Sequence, residues 1–354
     1  MFEVIGQVQR ERWDEIIASF DGDVYYSWDY LAALCQHGDG EPLLFYMEQE
    51  SCRICYVALK SDISGVQYFE NKLEPNRFYD LITPYGYGGP IVEGNFEKCH
   101  QQCFFKSLYA YCQDNNIVCQ YIRYHPLYDN HIYFDGISEN RKVNETICMD
   151  TSSVAVIQKN LTSRNRNKLR KAQKNHITIQ MDQGEKFKSF EAIYNQTMDR
   201  KKADSYYYFD QSYYGIINHE MKENLLYFYA CYQDQIIAAA LFLHNDEFMH
   251  YHLSGTLDGY RNLGAMNLIL YEAALWAQQQ DIKKLHLGGG LSMHDSLFEF
   301  KKQFNRCGSL DFYIGRNIFC KNIYDNLLKL RKKLEPEFDM NNPYIIQYRN
   351  AVAD

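Results

Sequence analysis

Leu225-Leu226-Tyr227-Phe228-Tyr229 and Ile236-Ile237-Ala238-Ala239-Ala240-Leu241, separated by the polar turn Gln233-Asp234-Gln235, decide the fold. Two apolar runs of strand length on either side of a short polar turn predict a β-hairpin. The same device stands near the start of the chain, where Leu43-Leu44-Phe45-Tyr46-Met47 meets Ile54-Cys55-Tyr56-Val57-Ala58-Leu59 across Glu48-Gln49-Glu50. Upstream of each hairpin lie an amphipathic helix, an aromatic cluster and a second helix. In the first copy these are Trp13, Ile16, Ile17 and Phe20, then Tyr25-Tyr26-Ser27-Trp28, then Tyr30, Leu31 and Leu34. In the second they are Phe190, Ile193, Tyr194 and Met198, then Tyr206-Tyr207-Tyr208-Phe209, then Tyr213, Tyr214, Ile216 and Ile217. Downstream, each copy continues with an aromatic strand, a Gly-containing bend, an apolar-faced helix and a further strand. The bends are Thr83-Pro84-Tyr85-Gly86-Tyr87-Gly88-Gly89-Pro90 and His250-Tyr251-His252-Leu253-Ser254-Gly255-Thr256. An order of elements that occurs twice is a duplicated domain.

Length agrees: 354 residues, at about 150 per domain, predict two domains. The expected boundaries are 1–150 for the first and 151–320 for the second. A helix carrying Leu327, Leu328, Leu330 and Leu334 then leads into an Asn/Pro-rich tail, so that 321–354 would pack back on the first domain. With 37 Lys and Arg against 45 Asp and Glu the net charge is −8, which excludes nucleic-acid binding through the overall field and requires a local basic patch for any polyanion. The first ten residues lack the basic-then-apolar order of a signal peptide, and no segment offers the ~20 apolar residues of a membrane span. A cytoplasmic protein is expected. In that compartment the 11 Cys read as reduced thiols. Cys52/Cys55 and Cys99/Cys103 have no second half at zinc spacing, so no metal is expected.

Helix, helix, hairpin, strand, Gly-bend, helix, strand resembles the GNAT acyltransferase fold. Two such domains in one chain resemble the Fem-type (FemAB-like) aminoacyltransferases that build peptidoglycan cross-bridges. The resemblance rests on Thr83–Pro90, the basic helix from Ser163, His252–Thr256, Leu287-Gly288-Gly289-Gly290, and Leu297-Phe298-Glu299-Phe300-Lys301-Lys302-Gln303-Phe304, in the family's order. It implies an α/β (α+β) chain of two tandem GNAT-like domains, each a mixed central sheet flanked by helices. Sustained heptads are absent, so the chain resembles family members without a coiled-coil arm. The activity implied is amide formation, an amino acid passing from aminoacyl-tRNA to an amine of a peptidoglycan precursor, without a cofactor. A peripheral contact with a lipid-linked precursor is compatible with that role.

Amide formation from an activated ester needs a donor facing the carbonyl oxygen as it becomes negative. The resemblance assigns this to Lys301, following Phe300. It also implies that Arg200 and Tyr206 bind the precursor, and that Tyr85 and Tyr87 line the equivalent bend of the first domain. Gly288 and Gly289 lack side chains, so a ligand could approach their backbone. His252 is a candidate base, with Asp295 and Glu299 as alternatives, and His250, His252 and His286 lie on neighbouring strands. Lys159, Arg164, Arg166, Lys168, Arg170, Lys171 and Lys174 form a run without Asp or Glu; on a helix Arg164, Lys168 and Lys171 share a face that suits phosphates.

Two further readings stand beside this one. Arg261-Asn262-Leu263-Gly264-Ala265-Met266 resembles the Arg/Gln-x-x-Gly-x-Gly/Ala loop with which GNAT enzymes cradle the pyrophosphate of coenzyme A, except that Met266 replaces the final small residue. That alternative makes acetyl-CoA or another acyl-CoA the donor to an amine acceptor. The other alternative is a non-catalytic binding protein with a degenerate site.

Overall fold

Both hairpins are present in a computed structural model of the chain, which describes residues 1–350. The chain divides into two compact units: Met1–Val143 with the chain from Phe312 onward, and Asn144–Asp311.

The first unit opens with β1 (Phe2–Ile5), α1 (Arg10–Ser19) and α2 (Trp28–His37). Alpha-1 buries Trp13, Ile16 and Ile17, and the Trp13 indole donates to the Tyr26 carbonyl at 3.0 Å. Ser27 caps α2 by accepting from the Tyr30 N–H, and Gly38, at φ +100°, ends it in the left-handed conformation. The hairpin is β2 (Glu41–Gln49) and β3 (Cys52–Asp62); then come β4 (Tyr79–Ile82), β5 (Gly89–Gly94), α3 (Lys98–Asp114) and β6 (Ile117–Arg123). Beta-4 and β5 both pair with β3, because Thr83–Gly88 interrupts what would be one strand. Beta-4 runs parallel to β6, and α3 makes the crossover that a parallel pair requires. The strand β7 (Glu139–Asp150) supplies its residues from Asn144 onward to the second unit.

The second unit contains α4 (Val154–Asn160), α5 (Ser163–Lys174), β8 (Thr178–Asp182), α6 (Phe187–Lys201) and α7 (Gln211–Glu220). Its hairpin is β9 (Leu225–Tyr232) and β10 (Gln235–His244), followed by β11 (Phe248–Thr256), α8 (Ala265–Gln279), β12 (Lys284–Gly289) and α9 (Ser296–Lys302). The sheet runs β7, β12, β11, β10, β9, β8, and β11 and β12 are its one parallel pair, with α8 as the crossover. Ile147, Phe228, Ala240, Leu270, Ala273, Leu285 and Phe298 belong to its core.

The strand β13 (Ser309–Ile318) and the helix α10 (Lys321–Leu334) follow. From Phe312 the chain is part of the first unit, where β13 pairs antiparallel with β6 and Tyr324, Leu327 and Leu328 pack under the tail. The fold is α/β, with a mixed sheet and flanking helices in each unit. Among the described residues the longest helix has 17 residues, too short for a coiled-coil arm, and no helix is long and apolar enough to cross a membrane.

Candidate functional site

The second unit is opened by a local mismatch between its parallel strands. Beta-11 and β12 pair only over Phe248–Lys284, Met249–Leu285 and His250–His286, although β11 continues to Thr256 and β12 to Gly289. Each strand carries an extra residue where the two part. His252 is unmatched between Leu241–Leu253 and Phe242–Tyr251, and Leu287 between His286–Cys148 and Gly288–Ile147. Such bulges bend a strand and re-aim its side chains. Past His250 and His286 the strand ends Tyr251–Thr256 and Leu287–Gly289 are no longer paired with each other, and the parting between them is the candidate cleft.

Lys301 enters this cleft from α9. Its side chain is buried, its ammonium donates to the Gly289 carbonyl at 2.7 Å, and it lies 5.7 Å from the centre of the Tyr251 ring. A charged lysine has three N–H donors. Among the described residues Gly289 is the one recorded acceptor, leaving two donors for whatever occupies the cleft. Burial pushes the Lys301 ammonium down to about 7, opposed by the Asp295 carboxylate and reinforced by the Lys201 ammonium. The group is therefore poised between its charged and neutral forms near neutral pH.

Around it sit residues that the sequence reading left out. The Tyr251 and Ser254 hydroxyls share a hydrogen bond, with burial pushing Tyr251 up to about 12, so both remain neutral hydroxyls. Lys201, at the end of α6, is lowered by burial and by its neighbours Arg200 and Arg261. Arg200, Lys201 and Arg261 thus form a cationic rim beside Lys301. Of Arg200-Lys201-Lys202 the sequence reading singles out Arg200 and leaves Lys201 aside.

The other expected residues are placed as follows. Arg200 donates to the Thr256 carbonyl at 3.1 Å, at the end of β11, and lies 4.0 Å from Asp258. Tyr206, on the loop after α6, packs on the rings of Tyr207 and Phe209. Phe300 packs against Phe304 and the core, which orients α9 so that Lys301 faces the cleft. Gly288 sits at the bulge, at φ +72°. His252 shares a 3.0 Å hydrogen bond with the Tyr213 hydroxyl, and burial, then the neighbouring His250, pushes it down to about 3. It is a neutral imidazole at pH 7. His250 and His286 are buried with ring centres 5.6 Å apart. Asp295 is occupied as the cap of α9, accepting from the N–H groups of Phe298, Leu291 and Ser292.

The basic run is a helix, as the resemblance implies. Alpha-5 buries Asn165, Leu169 and Ala172 and exposes Arg164, Arg166, Arg170, Lys171 and Lys174, with Lys168 half-buried. None of these cations forms an ion pair within the described residues. The buried face of α5 lies on the start of α8: the Asn267 amide donates to Asn165 at 3.0 Å, and Gly264, at φ +80°, is pressed against the Lys168 carbonyl. Gly264 and Ala265 are consequently buried, and Met266 packs against the core.

In the first unit, Tyr85 and Tyr87 lie on the Thr83–Gly88 interruption. Tyr87 is buried against the rings of Tyr25, His125 and Phe312, and the Arg123 guanidinium stands 5.9 Å from the rings of Tyr85, Tyr87 and Phe312. Buried Asp23 lies 3.4 Å from buried His125. Aromatic side chains thus pack around the Thr83–Gly88 interruption of the first unit.

Residues 149–294 match the FemAB-like family model, described as peptidoglycan biosynthesis/recognition. This segment is FemAB-like. The fold of most of the chain is similar to that of several solved structures. FemX superposes with a TM-score of 0.64 at 11% identity, over 92% of this chain and 99% of that one. A conserved protein of unknown function from Bacteroides thetaiotaomicron gives 0.55 at 11%, over 89% and 99%. L-PGS from Bacillus licheniformis gives 0.53 at 13%, over 92% and 95%. No curated protein matches the sequence.

Proposed function

We propose that this FemAB-like chain is an acyltransferase forming an amide bond, and that it transfers an amino acid from aminoacyl-tRNA to an amine of a peptidoglycan precursor. The observation that carries the reading is Lys301: a buried ammonium at the parting of β11 and β12 with two unspent N–H donors. When an amine attacks an ester carbonyl, the oxygen gains negative charge, and a pre-aimed ammonium in a desolvated cleft stabilises it. Tyr251 and Ser254 offer neutral hydroxyls beside it. Arg200, Lys201 and Arg261 suit an anionic precursor, and the exposed cations of α5 suit the phosphates of tRNA. The family description names peptidoglycan, which supports the acceptor class.

The coenzyme A alternative fits less well. A pyrophosphate needs exposed N–H groups in the first turn of the helix, and α5 covers Gly264 and Ala265, the start of α8. The deciding experiment supplies labelled aminoacyl-tRNAs and a soluble nucleotide-linked muropeptide, and follows label into the muropeptide. Transfer that disappears in Lys301→Met supports the proposal. No transfer from any aminoacyl-tRNA, together with stabilisation of the fold by acetyl-CoA, would overturn it in favour of the alternative.

A further inference from the structure

Lys301 is held by a turn, and that turn is organised by one carboxylate. Between Gly289 at the end of β12 and Ser296 at the start of α9 the chain reverses through Gly290–Asp295, of which Leu291, Ser292, Met293 and His294 are exposed. An exposed five-to-six-residue turn has little packing to fix it. Asp295 supplies the missing constraint: its Oδ2 accepts from the Leu291 N–H at 2.7 Å and the Ser292 N–H at 3.2 Å, while Oδ1 accepts from the Phe298 N–H at 2.8 Å. The carboxylate therefore ties the start of the turn to the start of α9. Gly290 makes room for it, because a Cβ there would lie 2.1 Å from Asp295 Oδ1.

We propose that Asp295 is a positioning residue for Lys301. Its carboxylate folds the turn so that the Gly289 carbonyl meets the Lys301 ammonium, an acceptor that favours the protonated form. The two residues lie at opposite ends of α9, so the helix fixes one relative to the other. The charged and titratable groups around Lys301 are Asp295 from the turn, Lys201 from α6, which opposes protonation, and Tyr251 from β11, which stays neutral. Asp295 itself does not act as a base: burial pushes its carboxyl up, but the N–H groups of Phe298, Leu291 and Ser292 outweigh burial and hold it below the usual range. That Lys301 acts in transfer rests on the function proposed above; that Asp295 sets its proton affinity does not.

The test needs no substrate. Cyanate carbamoylates the neutral amine of lysine, so the pH dependence of Lys301 labelling, read by peptide mass spectrometry on the full chain, reports its protonation. In Asp295→Asn one side-chain oxygen still accepts, but an amide NH2 replaces the other acceptor, so the charge and one arm of the tie are lost together. We expect the labelling midpoint to fall, with a smaller drop in melting temperature than in Asp295→Ala. Asp295→Ala removes charge and cap together, and should lower the midpoint and speed labelling at every pH as the turn loosens; if it does not fold, Asp295→Asn still decides. Gly290→Ala should resemble Asp295→Ala, because the added methyl displaces a carboxylate that is still present. A midpoint unchanged in Asp295→Asn, or one that Asp295→Glu fails to bring back toward the wild-type value, would overturn the proposal. Shifted labelling in a chain that transfers nothing would overturn the functional reading and leave this one standing.

Discussion

The Lys301 ammonium and the Gly289 carbonyl meet at 2.7 Å, across the end of the strand that leads into the Lys301 helix. The contact satisfies one of three donors of a buried cation and leaves the others without an acceptor among the described residues. A charge kept dry in this way costs stability, and it persists where the surrounding structure holds it in place.

Replacing Lys301 with Met keeps the length of the side chain and deletes the ammonium. We expect transfer activity to fall by about tenfold to a thousandfold, while the melting temperature at pH 7 stays level or rises, because a desolvated charge has been removed. A drop in melting temperature of the size produced by a core cavity would contradict the geometry.

Stability should vary with pH in two windows. Lys301 is lowered to about 7 in the fold and titrates near 10.5 when unfolded. Between these values the unfolded chain holds a proton that the folded chain has released, so stability rises with pH by up to about 1.4 kcal/mol per unit. His252 is lowered to about 3 from an ordinary 6.5, so the unfolded chain again binds more protons between them, and stability falls as pH drops through that range. Urea unfolding across pH 3–10 measures both; Lys301→Met should flatten the alkaline window and His252→Gln the acidic one, each leaving the other intact.

Gly259 and Gly264 stand on the same loop with similar backbones, at φ +87° and +80°, but in different surroundings. A Cβ on Gly259 meets nothing within 4 Å, whereas one on Gly264 would lie 2.6 Å from the Lys168 carbonyl. Gly259→Ala should cost about 1 kcal/mol from the left-handed backbone alone. Gly264→Ala should cost about 2–4 kcal/mol, because α5 has to move as well. Equal losses in chemical unfolding would show that α5 does not press on the start of α8.

In the first unit the tail is held by Asp80, whose buried carboxylate accepts from the Arg349 Nε and a terminal guanidinium nitrogen at 2.8 Å each, and from the Tyr348 hydroxyl at 2.8 Å. Asp80→Asn retains an acceptor but loses the charge, and we expect it to destabilise the chain by about 2–3 kcal/mol, below the value for a fully buried pair because Arg349 is a quarter exposed. Limited proteolysis should then remove the tail first. Uniform cleavage through the chain would argue that the tail is held elsewhere.

Much of the fold was legible because apolar spacing carries it. The hairpins, α1, α2, α6, α7 and α8 follow from residues such as Trp13, Ile193 and Leu270 recurring on one face, and α5 from the resemblance. The strand β7 was not legible: Ser138-Glu139-Asn140-Arg141-Lys142 is polar and reads as a junction, yet further along the same strand Thr146 to Asp150 pair with β12. Beta-8 was missed too, since Thr178–Asp182 is an edge strand that buries little. Lys301 was singled out by its resemblance to a family motif, but Tyr251, Ser254 and Lys201 were not, because each is an ordinary residue until the strands part around it.

The sequence by itself determined a duplicated α/β chain, a basic helix against an acidic average, and the lysine on α9. The first two are properties of composition and of spacing along one element, where local periodicity decides which face is buried; the lysine stands out through its resemblance to a family motif. Only the tertiary structure decided that β11 and β12 separate after His250 and His286, that α5 covers the start of α8, and that Asp295 ties its turn to the start of α9. Each of these depends on which backbone N–H or carbonyl group finds a partner far along the chain, and on whether a side chain is left dry, neither of which periodicity encodes.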